Sequence, residues 1–392
     1  MTETSFDAIV VGGGPAGSVC ARSLVLAGLH VALLDRTRFP RVKLCGGWLS
    51  PPVWDVLRVS PKDYPAGIWE WTRCHVQHGG RCHTLPGQGH FIRRVEFDHF
   101  LLERSGAEVI QHSVRNIEQT DDRYVVDGRF SAKWLIGAGG THCPVARTLF
   151  PKKAASPVGA QEHEFLAGAA DVARTRVGGD GEPELLLHDD LGGYSWNVPK
   201  GEWLNIGTGT SEPREVRAGW EMAREFFTTS GHVPESALPK LDEMKGHSYY
   251  LYDPSHLDGC QRDGAFSVGD GLGLAHPLTA EGILPSILSG KLAADAIVRG
   301  APGSYRTDLE RHPVIRDYAL ARELLNTAIA LRDRFAGGGT RLPALPPLTR
   351  WSQEATAKGF AWMFSGRPIP YADALRAVLR GVRSLKEVRT QA

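Results

Sequence analysis

Three glycines, Gly12-x-Gly14-x-x-Gly17, carry the clearest chemical signal in this chain. They follow Ala8 to Val11, a short apolar run rich in β-branched residues that predicts a buried strand. They lead into Ala16 to Ala27, small and apolar, which predicts a helix closed by Gly28. In that setting the first glycine permits a tight turn, the second lets the backbone approach a pyrophosphate, and the third allows close helix–strand packing. The helix N-terminus then presents free N–H groups and the positive end of its dipole to the phosphates. A second buried strand, Val31 to Leu34, ends at Asp35, where a carboxylate can bond a ribose hydroxyl. An acid at that place fits FAD or NAD and argues against NADP.

A second constellation lies far down the chain. Gly269-Asp270 follows a core-type strand over Ala265 to Val268, and a carboxylate there could hold a sugar or ribityl hydroxyl. The stretch His276 to Ile283 then opens a helix predicted over Ile283 to Val298, with Pro285 in the first turn, where a missing N–H costs little. Such a helix aims its positive end at whatever lies beside Asp270. A flavin needs that end, because its reduced ring becomes anionic near N1 and the adjacent carbonyl. The bland alternative is a capped helix with a structural aspartate. His276 could move a proton, or could be a loop residue satisfied by backbone.

Cys74, His75, His78, Cys82 and His83 suggest a metal site, but their spacing opposes it. If Gly79-Gly80 is a two-residue hairpin turn, Cys74, His78 and His83 share one face while His75 and Cys82 share the other. Four ligands on one side are not available, and no metal is expected. Cys45 is the cysteine to single out, as a proton donor or as a small space-filling hydrophobe. Trp69, Trp71 and Trp196 could line a cavity or serve as core. A second glycine fingerprint and a Gly-x-Ser-x-Gly elbow are both absent, which leaves serine hydrolase chemistry unsupported. Electrons must come from NAD(P)H bound without its own Rossmann lobe, or from a reduced protein carrier.

The remaining elements must position these residues. Of 392 residues, 42% are hydrophobic and 23% charged, which is ordinary globular composition and excludes global disorder, collagen and coiled coil. Lys plus Arg is 45 against 44 for Asp plus Glu, so no electrostatic footprint for nucleic acid exists. Six scattered cysteines indicate a reducing cytosol, and no targeting segment or membrane span is predicted. Peripheral membrane contact stays open. Cys74–His78 and Arg81–Leu85 predict a hairpin, Phe97–Ser105 a helix, Val109–Asp127 two strands, and Trp134–Gly137 a buried strand. Ser156 to Leu251, punctuated by Gly178 to Gly181 and Gly192-Gly193, predicts a mostly β lobe. From Tyr305 the pattern is helical, broken at Gly337 to Gly339 and Pro343 to Pro347.

The fold expected is α/β. A Rossmann-like FAD-binding lobe is assembled from residues 1–155, with a hairpin insertion near 66–95, and 256–302. A β-rich substrate lobe spans 156–255 and a helical region 303–392. The ordered set Gly12 to Asp35, Lys43-Leu44-Cys45-Gly46-Gly47, Arg94-x-x-Phe97-Asp98 and Gly269-Asp270 through Ile283 resembles flavoproteins of the geranylgeranyl reductase family, within the p-hydroxybenzoate hydroxylase-like fold. Tyr194-x-Trp196-x-Val198-Pro199-Lys200 resembles that family's substrate-cavity motif.

The resemblance implies non-covalent FAD. Gly12, Gly14, Gly17, Asp35 and Arg36 would hold the ADP half, and Arg94 the phosphates or flavin edge. Asp270 would hold the ribityl chain, and the Glu281-Gly282-Ile283 backbone would face the ring. Cys45 would lie near ring and substrate, with Tyr194, Trp196 and Pro199 lining the substrate cavity. The sequence departs from the family in Val198, where a phenylalanine is usual, and in Ala138-Gly139-Gly140, where Ala-Asp-Gly is common.

The function expected is reduction of a carbon–carbon double bond in a hydrophobic, isoprenoid-like substrate. Hydride would leave flavin N5, and the proton would come from Cys45, His276 or water. One rival is a flavin monooxygenase or halogenase, which Tyr194 to Pro199 matches only loosely. Another is a flavin-binding redox sensor without turnover.

Overall fold

The computed structural model describes residues 3–153, 157–174, 181–189, 192–233 and 243–336. Strand β1 (Thr4–Val11), helix α1 (Pro15–Leu26) and strand β2 (Val31–Asp35) form the expected βαβ unit. A two-residue strand β3 (Trp48–Leu49) and helix α2 (Pro52–Leu57) lead to the hairpin of β4 (Ile68–His78) and β5 (Arg81–Ile92). Then come α3 (Arg94–Glu103), β6 (Glu108–Gln111), β7 (Ile117–Gln119), β8 (Tyr124–Val126), β9 (Phe130–Gly137) and α4 (Pro144–Leu149). Strand β10 (Val158–Leu166), helix α5 (Ala169–Arg174), strands β11 (Glu184–Leu187), β12 (Gly193–Lys200) and β13 (Trp203–Thr210), helix α6 (Val216–Thr229) and strand β14 (Lys245–Tyr249) follow. The chain continues through β15 (Gln261–Arg262), β16 (Ala265–Ser267), α7 (Ile283–Val298), α8 (Tyr305–Arg311) and α9 (Pro313–Ala336).

The first sheet has the order β15-β16-β9-β1-β2-β6, parallel from β16 to β6, with β7 and β8 attached at β9. Strand β16 pairs with β9 across more than a hundred residues of chain, so distant segments build one nucleotide-type sheet. Its register sets Phe266, Ile136, Val10 and Leu33 side by side, all fully buried. Helices α1 and α7 cover that face through Leu24, Ala293 and Ala294. Gly290 brings α7 against α1, since a Cβ there would stand 2.1 Å from the Ala16 carbonyl oxygen.

The second sheet has the order β14-β10-β13-β12-β11-β4-β5-β3, antiparallel except between β11 and β4. Helix α6 packs Trp220, Ala223 and Phe227 onto its far face, against Phe165, Leu204 and Ile206. The near face is left to look toward the first sheet.

The hairpin is longer than expected, and its observed register pairs His78 with Arg81 and Val76 with His83. Cys74 and Cys82 therefore face opposite ways. His75 is bonded to Thr84 Oγ1 at 2.9 Å and Glu182 Oε2 at 2.6 Å. Among the described residues no group of three or more such side chains could hold a metal ion. One expectation needs correction: the stretch Val109–Asp127 contributes to three strands rather than two. The middle lobe is mostly β, as expected, and also carries α6, whose Trp220, Ala223 and Phe227 are spaced to fall on one helical face. The breaks at Gly337–Gly339 and Pro343–Pro347 lie outside the described residues.

Candidate active site

A cavity of about 540 Å³ is lined by both sheets. Gly12, Gly14, Asp35 and Arg36 line it from the nucleotide side, and Tyr194, Trp196, His247 and Tyr249 from the other.

The fingerprint loop shows why its glycines are required. Gly12 has φ +114, and a Cβ on it would lie 2.4 Å from the Ala138 carbonyl oxygen. A Cβ on Gly17 would lie 1.9 Å from the Gly12 carbonyl oxygen, so Gly17 serves packing and does not itself line the cavity. At Gly14 a Cβ would meet only Arg41 at 3.6 Å, so this backbone faces open space at the start of α1. Asp35 braces the loop: Gly13 N–H donates to Oδ2 at 2.8 Å and Thr37 N–H to Oδ1 at 2.8 Å. Arg36, Arg41, Lys43, Arg94 and Arg147 also line the cavity. A cradle of bare backbone ringed by guanidinium groups suits a pyrophosphate-bearing dinucleotide.

Arg94 is fixed rather than free. Its guanidinium donates to both oxygens of the fully buried Asp98, at 2.7 and 2.8 Å. Burial opposes its charge, but Asp98 outweighs burial and holds the pKa above the usual arginine value. Arg94 also interacts with the Cys45 thiol. The Cys45 sulfur accepts the Gly47 N–H at 3.4 Å, its carbonyl accepts from Asn205, and its N–H donates to Glu162 Oε1. Thus Cys45 stands at the seam between the two sheets.

Asp270 and the Glu281-Gly282-Ile283 backbone line the same cavity. A Cβ on Gly282 would lie 3.2 Å from Asp270 Oδ1, so the start of α7 does face that carboxylate. Ala280 is held at φ 57, unusual for a residue with a side chain, in the turn that presents this backbone. Ser50 donates to Glu281 Oε1 at 2.7 Å, and burial pushes the Glu281 carboxyl up to about 7 against that bond. Lys43 and His247 are hydrogen-bonded at 2.7 Å. Burial lowers the Lys43 pKa, and burial with the Lys43 charge takes His247 down to about 4, so His247 accepts as the neutral ring.

His276 is not among the cavity-lining residues. Leu278 and Thr279 N–H groups both donate to its Nδ1 at 3.1 Å, its ring sits edge-on to Tyr318 at 4.5 Å, and burial lowers its pKa to about 3. The neutral ring organises the turn before α7, which is the backbone-satisfied alternative.

Strand alternation sorts the aromatic motif. Tyr194, Trp196 and Val198 point into the cavity, while Pro199 falls on the opposite face and does not line it. Tyr194 Oη donates to the Thr279 carbonyl at 2.6 Å, tying this sheet to the turn before α7. The Trp196 indole donates to Asn205 Oδ1 at 2.7 Å. Trp69 and Trp71 belong to the core with Phe91, whereas Trp48 lines the cavity.

Sequence reasoning missed Glu162, His247, Tyr249 and Gly207. Gly207-Thr208-Gly209 inside a strand does signal a close approach by another group. Glu162 gave no signal, because one acid in an alternating strand reads as a solvated face.

No family model matches the chain. A geranylgeranyl diphosphate reductase from Rhodobacter capsulatus is 28% identical over 326 residues, 78% of each chain. A geranylgeranyl bacteriochlorophyll reductase-like structure from Thermoplasma acidophilum has TM-score 0.64 at 19% identity, covering 92% of this chain and 98% of its own. A flavin-dependent brominase has the same TM-score at 18% identity, covering 99% and 100%. The fold is therefore shared by proteins named for different chemistries. Fold and site define an FAD-dependent oxidoreductase. Within that class, the chain resembles the geranylgeranyl reductase flavoproteins, as its motifs imply.

Proposed function

We propose that this chain reduces a carbon–carbon double bond in a hydrophobic, isoprenoid-like substrate. The observation that carries the reading is a continuous cavity that joins the nucleotide cradle to an aromatic wall. In this reading Gly12, Gly14, Asp35 and Arg36 bind the ADP half of FAD, and Gly17 lets α1 pack close behind them. Arg94, locked by Asp98, sits at the phosphate or ring edge, and Asp270 at the ribityl chain. The Glu281-Gly282-Ile283 backbone places the positive end of α7 at the ring. Bound and reduced, FAD supplies the hydride. Tyr194, Trp196 and Val198 hold the alkene against that position and keep water away. The electron donor is NAD(P)H or a reduced protein carrier. The FAD-binding lobe comprises 1–155 and 256–302 and the substrate lobe 156–255, with the hairpin joined to the substrate sheet. Among the described residues no helix is long and apolar enough to cross a membrane.

An anaerobic single turnover tests the reading. The FAD-loaded chain is reduced with dithionite and mixed with prenyl lipids while the oxidised flavin band is followed. The expected result is return of the band with a product two hydrogens heavier. Reoxidation only after oxygen is admitted, with a hydroxylated or halogenated product, would replace this reading by the oxygenase one.

A further inference from the structure

Glu162 is a buried acid on the cavity wall, and nothing above uses it. Period-two alternation along β10 turns Ala160, Glu162 and Glu164 to one face, and Ala160 and Glu162 line the cavity. The register places Glu162 opposite Gly207, and Gly207 opposite Trp196. Gly207 has no side chain, and the Trp196 ring fills its place: a Cβ there would stand 2.2 Å from Cζ2 of the indole. One row across three strands therefore sets the motif tryptophan beside a carboxyl group.

Glu162 is oriented from the opposite side by the Cys45 N–H, which binds Oε1. That bond leaves its other oxygen, Oε2, for a second contact. The groups that face it are Lys43 and Cys45 from the loop before β3, Lys200 at the end of β12, Glu164 on its own strand, and Tyr249 on β14. Lys200 is fully buried and already paired with Glu164 at 2.5 Å. Burial outweighs these cations and pushes the Glu162 carboxyl up to about 7, so near neutrality it has a proton to give. The Cys45 sulfur, by contrast, is engaged by Gly47 and Arg94 on the nucleotide side.

We propose that Glu162 is the proton donor that completes reduction of the double bond, an inference that rests on the function proposed above. The π bond of the alkene breaks. One carbon takes a hydride with its electron pair, which bound, reduced FAD would supply, leaving oxidised FAD. The adjacent carbon takes the proton from the Glu162 carboxyl. The carboxylate left behind is stabilised by the Cys45 N–H and by Lys200 and Lys43, and it regains a proton from water.

The test compares wild type with Glu162→Gln, an isostere that keeps the Cys45 hydrogen bond and cannot donate an acid proton. Both are loaded with FAD, reduced anaerobically, and mixed with the prenyl lipid that reoxidises wild type fastest. FAD content should be equal, and the reoxidation rate should fall about 100-fold in the variant, the usual contribution of a general acid. The wild-type rate should decline as pH rises past about 7, and this limb should vanish in the variant. A second readout needs no substrate. Infrared titration of the FAD-loaded protein should show one more protonated carboxyl ionising near 7 in wild type than in the variant, where Glu281 remains. If Glu162→Gln folds poorly, Glu162→Asp should keep the pH limb at a reduced rate. An active wild type with a variant of unchanged rate and unchanged limb overturns the inference alone. A pH limb lost instead in Cys45→Ala, with Glu162→Gln unaffected, assigns the proton to the thiol. A wild type that no prenyl lipid reoxidises overturns the proposed function, and this inference with it.

Discussion

At the glycine loop of the nucleotide wall the working atoms are backbone. At the facing wall they are side chains. The glycine loop of the first wall is local: a strand, three glycines, a helix and an acid within Ala8 to Asp35 set its geometry. The second is assembled across strands, with Glu162, Gly207 and Trp196 brought into one row by pairing of β10, β13 and β12. A backbone site demands particular residue types at fixed spacing. A register-built site demands only that three distant positions coincide.

The comparison breaks most visibly at Gly12. Gly12→Val places a branched side chain at φ +114 against the Ala138 carbonyl and should abolish FAD binding, read as loss of the flavin absorbance after purification. A weakly bound but stoichiometric flavin would show that the nucleotide wall tolerates side chains.

The second wall should betray its buried acid through stability. The Glu162 carboxyl sits near 7 in the fold against an ordinary 4.5. Its contribution is therefore fully present below about 4.5 and lost as pH rises through about 7. Relative to Glu162→Gln, wild type should lose on the order of 3 kcal/mol across that interval in urea melts of the apoprotein. A pH-independent difference would mean that Glu162 does not titrate there.

Gly207→Ala separates the two walls. Its methyl group collides with the Trp196 ring, costing about 1–3 kcal/mol of stability. KM for the prenyl substrate should rise while flavin content stays unchanged. A loss of flavin instead would make the walls one unit.

The smallest effect is expected on the face turned away from the cavity. Pro199→Ala should leave turnover within about twofold, since that side chain does not reach the cavity, whereas Val198→Ala should alter substrate affinity by about tenfold. Equal effects would contradict the strand's orientation.

These differences explain what was legible in the sequence. The βαβ unit, the strand before Asp270 and helix α7 were readable because each follows from a local pattern. The hairpin's face assignment was readable because one turn fixes its register. His276 was misleading, since a histidine before a flavin-type turn looks chemical, yet two backbone N–H groups occupy its Nδ1. Pro199 was misleading because a motif reads linearly while a strand alternates. Glu162 was invisible, because its burial depends on β13, on the Cys45 loop and on the gap left by Gly207.

The most direct measurement is a crystal structure of the FAD-loaded protein with a prenyl lipid bound. The account predicts the flavin ring against Glu281 to Ile283. It places one alkene carbon over the ring and the adjacent carbon facing the Trp196 and Glu162 row. A lipid seated away from that row, or a flavin ring that fills the aromatic wall itself, would contradict the account.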